Sequence, residues 1–299
     1  MKMRTNKRQA TVGVIGGSGL YDMEGLTSTQ SIRVRTPFGA PSDAITIGTL
    51  EGIRVAFLSR HGRGHLLNPS GINYRANIFA LKSLGVSQII SISAVGSMKE
   101  SIPPGDVVLP DQFIDLTKRR ASTFFEDGIV AHVAFGDPVC AELGQALLSS
   151  AKRVGATVHP GGTYLCMEGP QFSTKAESRL YRQWGVDVIG MTNMPEAKLA
   201  REAELCYATV ALATDYDCWH ETEEAVTVEA VLTILHRNVA LAKQIIRTVM
   251  PFFADSRDCA CHHALDHAIL TAPKRIPAAA RKRLAILIDR TLTSQKGVR

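Results

Sequence analysis

Short apolar runs and longer amphipathic stretches alternate along this 299-residue chain. Val12–Ile15, Ile45–Leu50, Val55–Ser59, Gln88–Ser93, Val107–Leu109, Thr163–Met167, Val186–Met191 and Tyr207–Thr214 are short and rich in β-branched residues, the pattern of buried strands. Asn73–Leu84, Pro138–Val154, Thr174–Trp184, Pro195–Leu205 and Val228–Met250 repeat apolar residues at i, i+3 and i+4, which predicts helices. This alternation runs over residues 11–250 without a break in composition and predicts one α/β domain. Pro251 ends the long helix, and Asp255–Thr271 and Pro277–Thr293 predict shorter helices in an extension, 251–299, with a frayed basic tail.

Composition narrows the class. Hydrophobic residues at 45% and charged residues at 21% describe an ordinary globular protein. The net charge of +6 suggests a polyanion partner until it is located: residues 1–8 carry +4 and residues 274–299 carry +7, so the body between them is at −5. The basic character belongs to an N-terminal arm (1–10) and the tail, which excludes nucleic-acid binding as the main function. No apolar h-region follows Met1–Arg8 and no run of 18 apolar residues exists, so a cytoplasmic protein without a membrane partner is expected. Cys140, Cys166, Cys206 and Cys218 sit in or beside apolar segments and read as reduced core residues. Cys259-Ala260-Cys261 precedes His262 and His263, but a one-residue gap is short for zinc. A redox or structural thiol pair is an alternative there. The expectation is a plain helix N-terminal region and no metal.

The candidate chemistry gathers at predicted strand ends. Asp215 and Asp217 follow the run Tyr207–Leu212, where open α/β sheets place their ligands. An extended backbone would aim both carboxylates into one pocket and Tyr216 away from it. Such a pair raises its own pKa values and serves to pass a proton, or to accept hydrogen bonds from an amino group and a protonated ring nitrogen. A strand end feeding a turn is the plain alternative. Gly16-Gly17-Ser18-Gly19 can point N–H groups and a hydroxyl at an anion, although it is neither a dinucleotide fingerprint nor a Walker loop. Arg60 and His61, the small-residue turn Ser93–Ser97, and Thr192 ahead of Asn193 and Pro195 add further donors. In that last segment Pro195 suits a first helical turn and Asn193 its cap. Each element alone also fits an ordinary turn; all four offer donors to one oxyanion.

Taken in order, Gly16–Leu20, Thr36–Gly39, Arg60–Gly62, Asn73–Asn77, Ala94–Ser97, Pro104–Asp106, Asp111–Asp115, Glu168–Phe172, Met191-Thr192, Pro195-Glu196 and Asp215–Asp217 resemble the trimeric purine nucleoside phosphorylases, in their methylthioadenosine-cleaving branch. The likeness spans about Val12 to Met250 and fades over the last fifty residues. It implies a single α/β domain whose central mixed sheet is partly barrel-like and flanked by helices. It implies phosphorolysis of S-methyl-5′-thioadenosine to adenine and 5-methylthioribose 1-phosphate, without metal or organic cofactor, inorganic phosphate being a co-substrate.

By position, the resemblance gives phosphate to Ser18, Arg60, His61, Ser93, the Ala94 backbone and Thr192. It sets Met191 against the ribose and Phe172 with Ser173 beside the base. It brings Asp215 and Asp217 to N7 and the 6-amino group, with Asp215 as the residue that supplies or shares the proton. Carboxylates at 215 and 217 accept from an amino group, which favours adenine over a 6-oxopurine. Val228, Val231, Leu232 and His65 correspond to the 5′ pocket, ordinary helix core being the alternative for the three aliphatics. His132 would reach that pocket from a neighbouring subunit, a surface loop histidine being its alternative. The assembly implied is a homotrimer, with pairing of trimers left open. A hydrolase on the same fold needs no such anion cage, and a broader adenosine or purine phosphorylase is the alternative within the class.

Overall fold

The computed structural model describes residues 9–17, 19–20, 23–220, 228–255 and 258–294, the side chains at 228–233, 235–236 and 294 excepted. These residues form an eleven-stranded mixed sheet. β1 (Val12–Gly16) lies between β4 (Ile53–Ser59) and β5 (Gln88–Ser97) and is parallel to both. All five of its residues are buried, as a parallel strand covered on both faces requires. β3 (Ile45–Leu50) and then β2 (Thr27–Ile32) extend the sheet antiparallel to its edge. β2 was not predicted: Thr27-Ser28-Thr29-Gln30-Ser31 is polar and exposed, so this edge strand has no hydrophobic signature.

β5 is the pivot of the sheet. β11 (Cys206–Asp215) runs parallel to it from Gln88 to Gly96. On the other edge β1 stays only to Ser91, and β10 (Val188–Gly190) joins antiparallel at Gly96 and Ser97. β11 pairs onward to β6 (Val107–Leu109), and β6 to β8 (Val158–Pro160). β7 (Gln112–Asp115) and β9 (Thr163–Cys166) continue β6 and β8 past short corners, and the pairing β7–β9–β10 leads back to β5. This half of the sheet therefore curls into a partial barrel. Gly162 makes one corner possible. At φ +110° it occupies left-handed space, and an added Cβ would lie 2.9 Å from Asp187 Cγ. The Asp187 carboxylate accepts the Thr163 N–H there at 2.7 Å, and Asp111 accepts the Gly162 N–H at 3.1 Å.

Two apolar cores cover the faces. α1 (Tyr74–Ser83), α4 (Asn193–Glu202) and α6 (Ala278–Ser294) supply Ile78, Leu81, Leu199, Leu284 and Ile288 to one. α2 (Ala141–Arg153) and α5 (Val228–Val249) supply Leu143, Leu147, Ile245 and Val249 to the other. α3 (Lys175–Gln183) starts at a capping box between Thr174 and Glu177 and packs Tyr181 near Trp219 in a smaller cluster.

Several expectations change. The strand expected to end at Ser93 continues to Ser97, because Val95 and Gly96 still pair with β11. The helix predicted over Asp255–Thr271 is replaced, within the described part, by a 3-10 turn at Ala260–His263. The backbone beyond that turn is committed elsewhere: Leu265 N–H donates to Glu204, and residues 268–270 exchange hydrogen bonds with Val130 and His132. Asn193 does not cap α4. Its amide donates to Tyr207 at 3.0 Å and to Thr209, and Met194 and Pro195 are not helical. None of the described helices is long and apolar enough to cross a membrane.

Candidate active site

The fork in the sheet makes the cavity. Between Ser91, the last β5 residue paired with β1, and Gly96, the first paired with β10, that edge of β5 has no strand beside it. Ala94 is consequently exposed within a strand whose other residues, half-buried Gly96 apart, are buried. A cavity of about 640 Å³ opens here, at the carboxyl ends of β1, β5 and β11. Gly17, Arg60, His61, Ser93, Ala94 and Thr192 line one part of it, and Phe172, Met191, Asp215 and Asp217 another.

The first part is a buried donor wall. Arg60 is only 2% exposed. Its Nε and Nη2 grip both oxygens of Glu196 at 2.8 and 2.9 Å, and Nη1 donates to the Ile92 carbonyl at 2.9 Å. Nη2 also meets Ser91 Oγ at 2.7 Å, and Ser91 in turn donates to Glu196 at 2.8 Å. Burial penalises the guanidinium charge, but the Glu196 carboxylate more than offsets this and Arg60 stays protonated, its pKa raised. The planar fork is thus closed on Glu196, while Arg60 also lines the cavity. Ser93 Oγ lies 3.1 Å from Tyr164 Oη and 3.3 Å from Thr192 Oγ1, which holds the two hydroxyls side by side. His61 Nδ1 donates to the Leu67 carbonyl at 2.8 Å, so the neutral ring keeps Nε2 as a lone pair for a ligand. Burial lowers the His61 pKa to about 4. His65 stacks on it at 4.2 Å and also faces the cavity.

The second part is built locally. β11 ends at Asp215, and the chain turns at once, with Asp217 at φ +53° opening a 3-10 turn, Asp217–Trp219. The extended alternation expected here does not occur. Both carboxylates still face the cavity because Asp215 Oδ1 accepts the Asp217 N–H at 2.8 Å, a side-chain turn that folds the second aspartate back beside the first. Thr214 Oγ1 donates to Asp215 Oδ2 at 2.7 Å, and Ser178 Oγ donates to Asp217 Oδ2 at 2.5 Å. Burial, opposed by the Ser178 hydroxyl and reinforced by the Asp215 charge, raises the Asp217 pKa. Gly96 admits the pair: an added Cβ would lie 2.9 Å from Asp215 Oδ1 and 3.3 Å from Asp217 Cβ.

A cavity with cationic and hydroxyl donors on one wall and paired carboxylates on another suits a substrate that combines an oxyanion with a hydrogen-bond-donating base. Comparison with known proteins agrees. Residues 11–251 match the family model described as the phosphorylase superfamily. The chain belongs to the phosphorylase superfamily. Its relatives include the S-methyl-5′-thioadenosine phosphorylase of Geobacter sulfurreducens, 59% identical over 94% of this chain and 98% of the relative. The protein of the same name from Koribacter versatilis is 55% identical over 96% and 99%. A crystal structure of a methylthioadenosine phosphorylase from an antarctic soil metagenomic library superposes with a TM-score of 0.90, at 50% identity, over 94% of this chain and 99% of that one.

Within this superfamily member the positions singled out in the sequence do not all meet. Arg60, His61, His65, Ser93, Ala94, Phe172, Met191, Thr192, Asp215 and Asp217 converge on one cavity. Ser173 is not among the residues lining the cavity; its hydroxyl lies 3.7 Å from Met167 Sδ and it interacts with Asp217. Exposed His132 is away from its own chain's cavity. Ser18 and the side chains of Val228, Val231 and Leu232 lie outside the described residues, but Val239 on the same helix lines the cavity. Sequence reasoning missed the supports: Glu196, Ser91, Tyr164 and Thr214. It also missed Arg120, which binds the Met191 carbonyl at 2.6 Å and the Met194 carbonyl at 2.7 Å. Arg120 follows Lys118 and Arg119 in a basic loop and gave no sign of burial. Among the described residues the grouping of metal-type ligands is four cysteines, none of them at this cavity.

Proposed function

We propose that this chain catalyses phosphorolysis of S-methyl-5′-thioadenosine, in which phosphate displaces adenine from C1′ to give adenine and 5-methylthioribose 1-phosphate. The observation that carries this reading is the division of one cavity into a buried donor wall and a carboxylate pair. Phosphate sits against Arg60, Ser93, Thr192 and the Ala94 backbone, and Ser18, outside the described residues, is the further donor expected. Neutral His61 accepts a hydrogen bond from a phosphate hydroxyl at Nε2. A phosphate oxygen attacks C1′ as the bond to N9 breaks, and the electron pair passes into the purine. The anion stabilises oxocarbenium character on the sugar while the Asp215–Asp217 pair delivers a proton toward N7. Placing the raised pKa at Asp217 makes the proton a property of the pair, with Asp215 at the base and Asp217 coupled to it. The same carboxylates accept from the 6-amino group, which selects adenine.

Phe172 at the cavity mouth covers the base, and Met191, fixed through its carbonyl by Arg120, lies against the ribose. The methylthio group goes toward His65 and Val239 of α5, with Val228, Val231 and Leu232, whose side chains lie outside the described residues, as the further residues expected to receive it. Adenosine is a weaker second substrate, since one hydroxyl in an apolar pocket is disfavoured by only about 100-fold. The reaction needs no cofactor beyond phosphate as co-substrate. The active assembly is a homotrimer in the cytoplasm. What supports an assembly is that Val130 and Leu270 stand 48% and 63% exposed on the short ladder that also carries His132.

Adenine release from methylthioadenosine, adenosine and inosine, with and without phosphate, tests the proposal. Phosphate-dependent release is expected from methylthioadenosine, less from adenosine and none from inosine. Comparable inosine cleavage, or release without phosphate, would overturn it.

A further inference from the structure

Four cysteines from three separate segments converge at the other end of β11 from the active site. Cys206 opens β11 and Cys140 occupies the position before α2, while Cys259 and Cys261 flank the entry to the 3-10 turn Ala260–His263. All four Sγ atoms lie within 4.8 Å of one another. Cys140 and Cys259 are 3.7 Å apart, and all four are free thiols. A tetrahedral ion with metal–sulfur bonds of about 2.3 Å spaces its sulfurs about 3.8 Å apart. Two disulfides would instead draw the sulfurs into pairs of about 2.05 Å. Mutual proximity of all four is the geometry of a shared centre.

We propose that Cys140, Cys206, Cys259 and Cys261 bind one zinc-class ion that staples the C-terminal extension to the core. An all-sulfur tetrahedral set selects soft or borderline ions and excludes calcium and magnesium. The set is closed, as structural sites are. Cys140, Cys206 and Cys261 are buried in the α2–α5 core, and partly exposed Cys259 faces the solvent side. His262 Nε2 lies 3.6 Å from Cys206 Sγ, an outer partner of the kind that orients metal ligands. Cys140 stands at the N-terminal end of a 13-residue helix, where the backbone dipole favours a thiolate. The one-residue gap that argued against zinc in the sequence is not decisive, because the loop supplies one edge of the tetrahedron and the core supplies the other. A second tie lies close by: Glu204, two residues before Cys206, accepts from Leu265 N–H and from Arg290 of α6. Cys206 and Asp215 are the two ends of the ten-residue β11, roughly 30 Å apart along the strand, so the ion holds structure and takes no part in the chemistry.

The test uses the full chain, produced with zinc and purified under reducing conditions. Metal analysis should find about one zinc per chain. Replacement by cobalt should give the visible bands of a tetrahedral ion and thiolate-to-cobalt charge transfer in the near ultraviolet. Both should vanish in Cys259→Ser/Cys261→Ser and persist in Cys218→Ser. Chelation should lower the thermal midpoint. A reduced protein that retains no zinc and shows no cobalt bands with excess cobalt would overturn the proposal. So would peptide mapping that finds these four cysteines paired as disulfides in freshly isolated protein. If the double variant does not fold, the cobalt spectrum of the unaltered chain decides.

Discussion

The two walls of the cavity are built in opposite ways. The anion wall is assembled from residues far apart in sequence: Arg60 meets Glu196 across 136 positions, Ser91 meets Glu196 across 105 and Ser93 meets Thr192 across 99. It is buried, and its main cation is neutralised internally. The base wall is local. Thr214, Asp215 and Asp217 fix one another within four residues, and the one distant support named for Asp217 is the Ser178 hydroxyl. The contrast follows from what each wall must do. Phosphate needs fixed donors in a water-poor site, which a buried network provides. A proton-sharing pair needs two carboxylates close together, which a tight turn provides without a long-range scaffold. Disturbing the first wall should therefore cost folding as well as phosphate binding, whereas disturbing the second should cost catalysis alone.

Asp215→Asn should show the largest effect. Its kcat/KM for methylthioadenosine should fall about 10²–10⁴-fold, with phosphate KM and unfolding midpoint nearly unchanged. Unaltered adenine kinetics in that variant would remove Asp215 from the mechanism. Glu196→Gln breaks the other wall. It leaves a buried guanidinium without its counter-charge, a loss of about 3–5 kcal/mol in denaturant unfolding, with a higher phosphate KM. Wild-type stability in that variant would mean the ion pair is not a support.

Gly96→Ala sharpens the comparison at the seam between the walls. The added methyl must displace Asp215, so an overpacking cost of about 1–3 kcal/mol is expected, with a roughly tenfold drop in kcat/KM and unaffected phosphate KM. A phosphate defect instead would show that the walls are not independent.

A further effect is one of pH. His61 has a folded pKa of about 4, against roughly 6.5 unfolded. Between these values the unfolded chain takes up a proton that the folded one refuses. The His61 contribution to stability is thus fully present above pH ~6.5 and is lost as pH falls toward ~4. Urea unfolding at neutral and acidic pH should show a shallower acid loss in His61→Gln than in the unaltered chain.

The sequence made the cavity's lining legible and its supports illegible. Arg60, Ser93, Thr192 and the aspartates stand at strand ends beside small residues, where composition and position mark them. Glu196 sits beside a proline and Arg120 in a run of three basic residues, and their burial follows only from tertiary packing. The aspartate pair was found with the wrong geometry, because an extended backbone and an Asp-stabilised turn both bring residues two apart together. The fold was read from its apolar strands, and the polar edge β2 escaped for want of a hydrophobic signal. Cys140 and Cys206 read as thiols in apolar surroundings and Cys259 and Cys261 only as a helix N-terminal region, and no spacing rule joins cysteines 66 and 53 positions apart.

The most direct test of phosphorolysis is to identify the sugar product by mass spectrometry after turnover of methylthioadenosine in phosphate buffer. The account predicts 5-methylthioribose 1-phosphate, one for each adenine released. Free 5-methylthioribose as the primary product would mean that water is the nucleophile, and would contradict it.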